Sequence, residues 1–392
     1  MILLAMAVAG GALLAGDAPA VDPAPLGIPQ DAPELTRNPA LRGRLAASPH
    51  AYFRGIGPRF MTLLCERFGE RLAAMPAVTL HGDAHLEQYA VTDHGRGLTD
   101  FDDSTTGSAL IDLARFATSI QLAVRERGFS GAESMIATFL RGYARGLDDP
   151  RSVAPEPTIA RELRRSFDRD RLACLARAES LMTPFPPDKT PEPATLQRVS
   201  ALLAAAAGRP ASFFHVKKLG TLGIGIGSAA DERYLLRIEG PSPKDKDDVI
   251  LELKEVRRLP ELSCLRGELG PTRILVAQAT LAYEPFSYVG ILIDEGQLGH
   301  HFWFHAWPDN YTELRVGSVP SSQALQEVVY DVGVQLGRGH ARQKRSDDSR
   351  RVRKALKGVL PTLDLVALSA ALADATEAAW RRFREASGTR EP

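Results

Sequence analysis

Cysteine is scarce in this chain of 392 residues: Cys65, Cys174 and Cys264 are the three present. They are too few and too far apart for a disulfide framework or a Cys-x-x-Cys zinc site. Three buried or half-buried thiols are the expectation. Net charge is also lacking, since 48 Lys and Arg balance 48 Asp and Glu. That balance gives no general electrostatic case for nucleic acid or an anionic membrane, so no nucleic-acid partner is expected. No repeat at solenoid spacing occurs. Long apolar runs are missing too, and no integral membrane span is expected in the mature chain. The run from Ile2 to Leu14 has 13 residues and precedes a Pro/Ala-rich stretch. It resembles the apolar region of a secretory signal but lacks the basic residues that open one. An unstructured or mis-started N-terminus is the rival reading. The compartment stays open: cytoplasmic or, if the signal is real, periplasmic or extracellular.

What remains is the composition of a globular protein, 44% hydrophobic and 24% charged, enough for a sizeable core. The length suits two or three domains or one two-lobed enzyme. Residues 1–38 read as a signal-like segment and linker, and 39–208 as a helical lobe. Residues 209–316 read as a β-rich region, and 317–392 as C-terminal helices packed on the helical lobe. Apolar periodicity predicts helix within Pro39–Ala73, Ala109–Arg127, Ile159–Met182, Leu196–Ala207, Gln323–Arg342 and Leu363–Glu385. Ser130-Gly131-Ala132-Glu133 fits a capping box for a helix that runs on to Asp148. Strands are expected at Ala77–Leu80, Tyr89–Thr92 and Leu98–Phe101, the last two forming a hairpin. Further strands are expected at Phe213–Lys218, Tyr234–Glu239, Val249–Val256, Ile274–Ala282, Tyr288–Ile293 and His301–Trp307. Lys244–Asp248 reads as a solvated turn.

The chemistry concentrates in two places. His81-Gly82-Asp83-Ala84-His85-Leu86-Glu87-Gln88 and Asp100-Phe101-Asp102-Asp103 follow short apolar strands. Unpaired buried carboxylates are costly, so such a cluster calls for a metal ion, a proton transfer, or both. In kinase-type phosphoryl transfer an aspartate accepts the acceptor's proton, and a side chain five residues later binds Mg²⁺. A second aspartate in a later turn also binds the metals. Asp83, Gln88 and Asp100 keep that spacing, with Gln standing where Asn is usual. Downstream, Lys218 to Ser228 holds glycines whose backbone N–H groups could cover phosphates. Lys254 sits on a later strand. Glycine turn, strand, then strand with lysine is the order of a kinase nucleotide lobe. Here that lobe would follow the catalytic loop, so the arrangement would be circularly permuted. A flexible hairpin and an exposed strand lysine are the plainer readings of the two downstream features.

Together these pieces resemble the bacterial family called domain of unknown function 2252, which is itself similar to protein-kinase-like and aminoglycoside-phosphotransferase-like folds. The resemblance rests on Ser48 to Gly55, His81-Gly82-Asp83-Ala84-His85, Asp100-Phe101-Asp102-Asp103, Gly107 and Asp112-Leu113. The Gly223–Gly227 turn, Leu253-Lys254-Glu255 and Gly339-His340-Ala341-Arg342 also match, so it spans roughly residues 35–350. It implies a fold and a site, not a substrate, and Gln88 departs from that family's Asn.

The reading is therefore an α+β, two-lobed, protein-kinase-like fold with its catalytic-loop segment preceding the Gly-rich β lobe. The expected activity is transfer of the γ-phosphate of ATP to an unknown hydroxyl on a small molecule or protein. Asp83 would accept the proton. Asp100 and Gln88, with Asp102 as helper, would hold Mg²⁺ or Mn²⁺. Gly223, Gly225, Gly227 and Lys254 would bind ATP. Glu255, Glu261 and Glu268 are the candidate partners of Lys254. A pseudokinase-like binding module is the first alternative. A metal-dependent phosphohydrolase using His81, Asp83, His85, Asp100 and Asp102 is the second. The face formed by His301, Trp303 and His305 reads as a strand near the lobe hinge rather than a metal site. His340 reads as a packing histidine. Arg54 reaches either the acidic cluster or a surface ion pair.

Overall fold

The computed structural model describes residues 20–184, 193–206, 209–210, 214–222, 232–240, 242, 244–266, 270–293, 301–342 and 346–388. The signal-like run and Gly223, Gly225 and Gly227 lie outside them.

The first part is helical: α1 (Pro33–Arg37), α2 (Pro39–Ala46), α3 (Pro49–Gly55) and α4 (Gly57–Ala74). The expected helical stretch is broken because Ser48 and Pro49 restart the chain, the Ser48 hydroxyl accepting from Ala51 N. Next come β1 (Ala77–Leu80), β2 (Tyr89–Thr92), β3 (Arg96–Leu98) and β4 (Thr105–Ser108). The hairpin forms as expected, but its second strand ends at Leu98 rather than Phe101. Residues 99–104 are thereby freed as a loop. α5 (Leu110–Arg127) is buried along most of its length, and Gly128 closes it at φ 64°. α6 (Ala132–Asp148) starts from Gly131 at φ 83° without a side-chain cap, so no capping box forms. The predicted Ile159–Met182 helix is two helices, α7 (Thr158–Arg165) and α8 (Arg171–Ser180). Asp170 caps the second by accepting from Leu172 N.

α9 (Pro193–Ala206) leads into the β-rich region: β5 (Val216–Thr221), β6 (Arg233–Ile238), β7 (Val249–Glu255), α10 (Thr272–Leu281), β8 (Gly290–Ile293) and β9 (His301–Ala306). The strands form one antiparallel sheet in the order β5-β6-β7-β9-β8. The Ile274–Ala282 stretch expected as a strand is instead α10. Arg273, Ile274, Ala277, Gln278 and Leu281 are buried at helical spacing. β10 (Tyr311–Glu313) then returns to pair with β2, beside the hairpin. α11 (Ser322–Ala341), α12 (Ser346–Val359) and α13 (Leu365–Ala386) finish the chain.

α6 and α11 touch backbone to backbone. A Cβ on Gly146 would lie 2.4 Å from Val334 O, so glycine is required at this crossing. The main core unites α4, α5, α6, α11 and α13, with Phe60, Phe116, Phe139, Val328 and Leu372 fully buried. A second cluster lies between α9 and one face of the five-stranded sheet, including Leu203, Leu236, Leu251, Leu253 and Phe304. Strand alternation sends Arg233, Glu252, Lys254, Trp303 and His305 to the opposite face.

Two smaller expectations fail. Cys65 and Cys264 form a disulfide across 199 residues with Cα atoms 5.5 Å apart, and Cys174 alone is a buried free thiol. Folding brings together cysteines that spacing keeps apart. The Lys244–Asp248 turn is not wholly solvated either. Asp248 is buried and accepts from Lys217 Nζ at 2.9 Å and Arg237 Nε at 2.6 Å.

Candidate functional site

β1 delivers the chain to Gly82, whose φ of 84° suits glycine; a Cβ there would strike Asp103 O. Asp112, in the first turn of α5, fixes this loop. Its carboxylate accepts from His81 N at 2.7 Å and Gly82 N at 2.9 Å, and His340 Nε2 lies 3.1 Å away. The other ring nitrogen of His340 meets the Tyr143 hydroxyl, so both nitrogens of this buried ring have partners within the fold.

Asp83 follows and is buried. Arg115, three residues beyond Asp112 on α5, donates to its Oδ1 from Nε at 2.9 Å and from Nη2 at 2.6 Å. The guanidinium lies 3.6 Å from the Phe53 ring centroid. Gln88 Nε2 and His85 Nε2 each stand 3.4 Å from Asp83 Oδ2. Burial opposes ionisation of Asp83, but Arg115 and His85 overcome it and hold the carboxyl well below the usual range. His50 closes the corner, its ring centroid 5.9 Å from that of His85. Burial lowers its pKa to about 3.

The freed loop after β3 carries the second group. Asp100 takes the left-handed conformation at φ 60°, which aspartate tolerates better than most residues. Lys254 Nζ lies 2.5 Å from Asp100 Oδ1 and 2.5 Å from Asp102 Oδ2. Asp102 Oδ1 accepts from Trp303 Nε1 at 2.7 Å. Arg233, opposite Lys254 in the strand register, stands 3.7 Å from both Asp102 and Glu252. His305 Nε2 is 3.1 Å from Glu252. Phe286 and Trp303 stack on the two sides of the His305 ring, at 4.1 and 4.7 Å.

Ionisation is divided between the two aspartates. Burial disfavours charge at Asp100, but Lys254 and Arg233 outweigh it and hold the carboxyl well below its ordinary value. Burial, reinforced by the Asp100 charge, raises Asp102 to about 7. Glu252 falls to about 2: burial opposes ionisation, and His305, Arg233 and Lys254 prevail. Asp100, Arg233, Glu252, Lys254, Trp303 and His305 border a cleft of about 440 Å³, walled also by Phe286, Trp307, Tyr311 and Glu313, while Asp102 lies behind them, buried.

Of the residues singled out in the sequence, Asp100, Asp102 and Lys254 come together. Gln88 does not join them, since its amide is turned to Asp83. Asp83 is buried against Arg115 and does not line this cleft. None of the glutamates proposed to pair with Lys254 is seen to do so. Glu255 accepts from Glu232 N, Glu261 pairs with Arg258, and Glu268 lies outside the described residues. The two aspartates take that place. Among the described residues no group of three or more His, Cys, Asp or Glu is arranged to hold a metal ion. The His81, Asp83, His85, Asp100 and Asp102 set therefore does not converge. Arg54 binds Glu87 at 2.7 Å and approaches Glu313 at 3.5 Å, at the edge of the cleft.

Sequence reasoning missed Arg115, Arg233, Glu252 and the Glu252–His305 contact. Glu252 left a signal, because it shares a strand face with Lys254. Arg115 left a weaker one, at helical spacing from Asp112. Arg233 left none.

Comparison with known proteins adds one match. The domain of unknown function 2252 family, described as an uncharacterized protein conserved in bacteria, matches residues 35–179. That span holds Asp83, Gln88, Asp100, Asp102 and Arg115. It ends before β5, so Lys254 and the five-stranded sheet lie beyond it. No curated protein and no solved structure matches the chain.

Proposed function

We propose that the chain is a kinase-like phosphotransferase that moves the γ-phosphoryl group of ATP, or another nucleoside triphosphate, to a hydroxyl acceptor. The observation that carries this reading is the contact of Lys254 with Asp100 and Asp102 across the cleft. Two segments 154 residues apart meet there. The strand order supports it as well. Lys254 is on the third strand of the sheet, and a helix separates the third strand from the fourth, as in a kinase nucleotide lobe.

In this reading Lys254 releases its carboxylates on nucleotide binding and turns to the phosphates. Mg²⁺ or Mn²⁺ suits Asp100 and Asp102, because both bring hard oxygen donors to one point and Mg²⁺ commonly takes one or two carboxylates beside substrate phosphates. Gln88 is not part of that set. Bound there, the ion would neutralise phosphate charge. Asp83 is a weak base, held by Arg115 and buried away from the cleft, so in this reading it orients the acceptor hydroxyl only once Arg115 releases it. Such transfer relies mainly on positioning and electrostatic stabilisation.

A non-catalytic nucleotide-binding module is the second reading, favoured by the burial of Asp83 and the orientation of Gln88. Calorimetry with Mg²⁺ and ATP, followed by transfer of labelled γ-phosphate, tests both. Binding lost in Lys254→Met and turnover lost in Asp83→Asn with binding intact support the enzyme. Binding without turnover leaves the module. No binding of any nucleoside triphosphate defeats both.

A further inference from the structure

The cleft carries a carboxylate that phosphoryl transfer does not use. Glu252 lies two residues before Lys254 on β7, on the same sheet face, about 7 Å along the strand. A ligand whose phosphates meet Lys254 and which extends along the strands passes Glu252 on its way to Trp307 and Tyr311. All of these residues line the same cleft. His305 anchors one Glu252 oxygen, and Phe286 and Trp303 hold the His305 ring on both faces. The carboxylate is therefore fixed in direction. Arg233 approaches the other oxygen at 3.7 Å. A carboxylate has about four lone-pair positions, so Glu252 keeps acceptor capacity for a ligand. Ionised, it only accepts.

The aromatic walls suit a planar ring, and Glu252 asks for donors on the edge of that ring. Adenine offers an amine flanked by ring-nitrogen acceptors, which a carboxylate repels. Guanine offers N1–H and the 2-amino group side by side, matching two carboxylate oxygens. We infer that the cleft takes a guanosine nucleotide in preference to an adenosine nucleotide, with Glu252 reading the N1–H and 2-amino edge. This inference rests on the nucleotide-site reading above and narrows its substrate class.

The test is calorimetry on the full chain with Mg²⁺ and the β,γ-imido analogues of GTP, ATP, ITP and 2′-deoxy-GTP. The GTP analogue is expected to bind about tenfold or more tighter than the ATP analogue, the scale of one good bidentate contact. The ITP analogue, which lacks the 2-amino group, loses several-fold, and the 2′-deoxy analogue loses nothing. Glu252→Gln brings the GTP and ATP analogues to within about twofold of each other. The wild-type comparison of GTP with ITP stands even if that variant fails to fold. An ATP analogue that binds as tightly as the GTP analogue overturns the inference and leaves the nucleotide site intact. So does a loss on removing the 2′-hydroxyl without one on removing the 2-amino group. No binding of any analogue overturns the inference and the nucleotide site together.

Discussion

Two acidic corners lie within one short stretch of sequence, and the fold treats them in opposite ways. At Asp83 the carboxylate is closed in by Arg115, His85, Gln88 and the Phe53 ring. At Asp100 and Asp102 the balancing charges come from the five-stranded sheet and border a cleft. The Asp83 carboxylate is satisfied by residues of the helical part, although Arg115 Nη1, His85 Nδ1 and both ring nitrogens of His50 are buried there without a hydrogen-bond partner. The second corner is complete only when the five-stranded sheet docks. A buried, fully paired group serves mainly to hold structure, whereas a charge network lining a cavity can exchange partners with a ligand.

That contrast predicts the largest effect at the closed corner. Arg115→Met leaves the buried Asp83 charge with only His85 and Gln88 beside it, each at 3.4 Å, which costs about 3–5 kcal/mol of folding stability. Urea unfolding measures it, and Asp83→Asn in the same chain should restore much of the loss. A loss below about 1 kcal/mol would mean that water reaches Asp83 and the two corners are alike. The next effect belongs to the cleft. Lys254→Met should lower turnover about 10²–10³-fold, the usual result of removing one electrostatic contact to the reacting group. Unfolding should change far less than in Arg115→Met. Equal damage to folding in both variants would erase the distinction between the corners.

The two corners were also unequally legible in the sequence. Asp100 and Lys254 could be matched because strand-borne lysine and loop-borne aspartate carry a recognisable order. Their partnership with Asp102 could not, because the expected partner was a glutamate. α10 was read as a strand because Ile274-Leu275-Val276 is a short apolar run, ambiguous between the two states until Pro271 and the helical burial spacing are weighed. α5 was legible to within a residue because a long periodic face ends in glycine. Arg115 was overlooked because the apolar pattern of that helix disguised a charge facing inward. β10 escaped notice because its three residues pair with β2 only after the chain returns from the five-stranded sheet. The disulfide was unreadable for the same reason.

That disulfide tests how the two corners are held together. Cys264 lies in the connector from β7 to α10, and Cys65 lies on α4. The same connector sends Arg257 to Asp103 at 3.3 Å, and Arg273 at the start of α10 donates to Asp102 O at 2.5 Å. Cys65→Ser should cost about 2–4 kcal/mol. It should also weaken nucleotide binding at the cleft more than it loosens the Asp83 corner. Unfolded without reductant, the wild-type chain should titrate one thiol, Cys174, rather than the three that its sequence contains. Three thiols would remove the staple and leave α4 and the β7–α10 connector joined by packing and ion pairs.

The most direct comparison is in acid titration, where the corners carry opposite signs and partly cancel in the wild-type chain. His50 is held neutral, with a folded pKa of about 3 against an ordinary 6.5. The unfolded chain then binds the extra proton between those values. Stability contributed there is present above about pH 6.5 and is lost as pH falls toward 3. Asp102 is raised to about 7 from 3.8, so the folded chain binds the extra proton in that window. Its contribution is present below about pH 3.8 and is lost as pH rises through 7. Because the windows overlap, the wild-type profile is flatter than either group alone would give. Urea midpoints between pH 4 and pH 8 separate them. His50→Phe should remove the acid-side loss and tilt the profile toward greater stability at low pH. Asp102→Asn should tilt it the other way, each by up to about 4 kcal/mol, since each pKa moves by about three. If both substitutions tilt the profile in the same direction, the cleft carboxylates do not share their charge as the geometry requires, and the two corners differ in exposure alone.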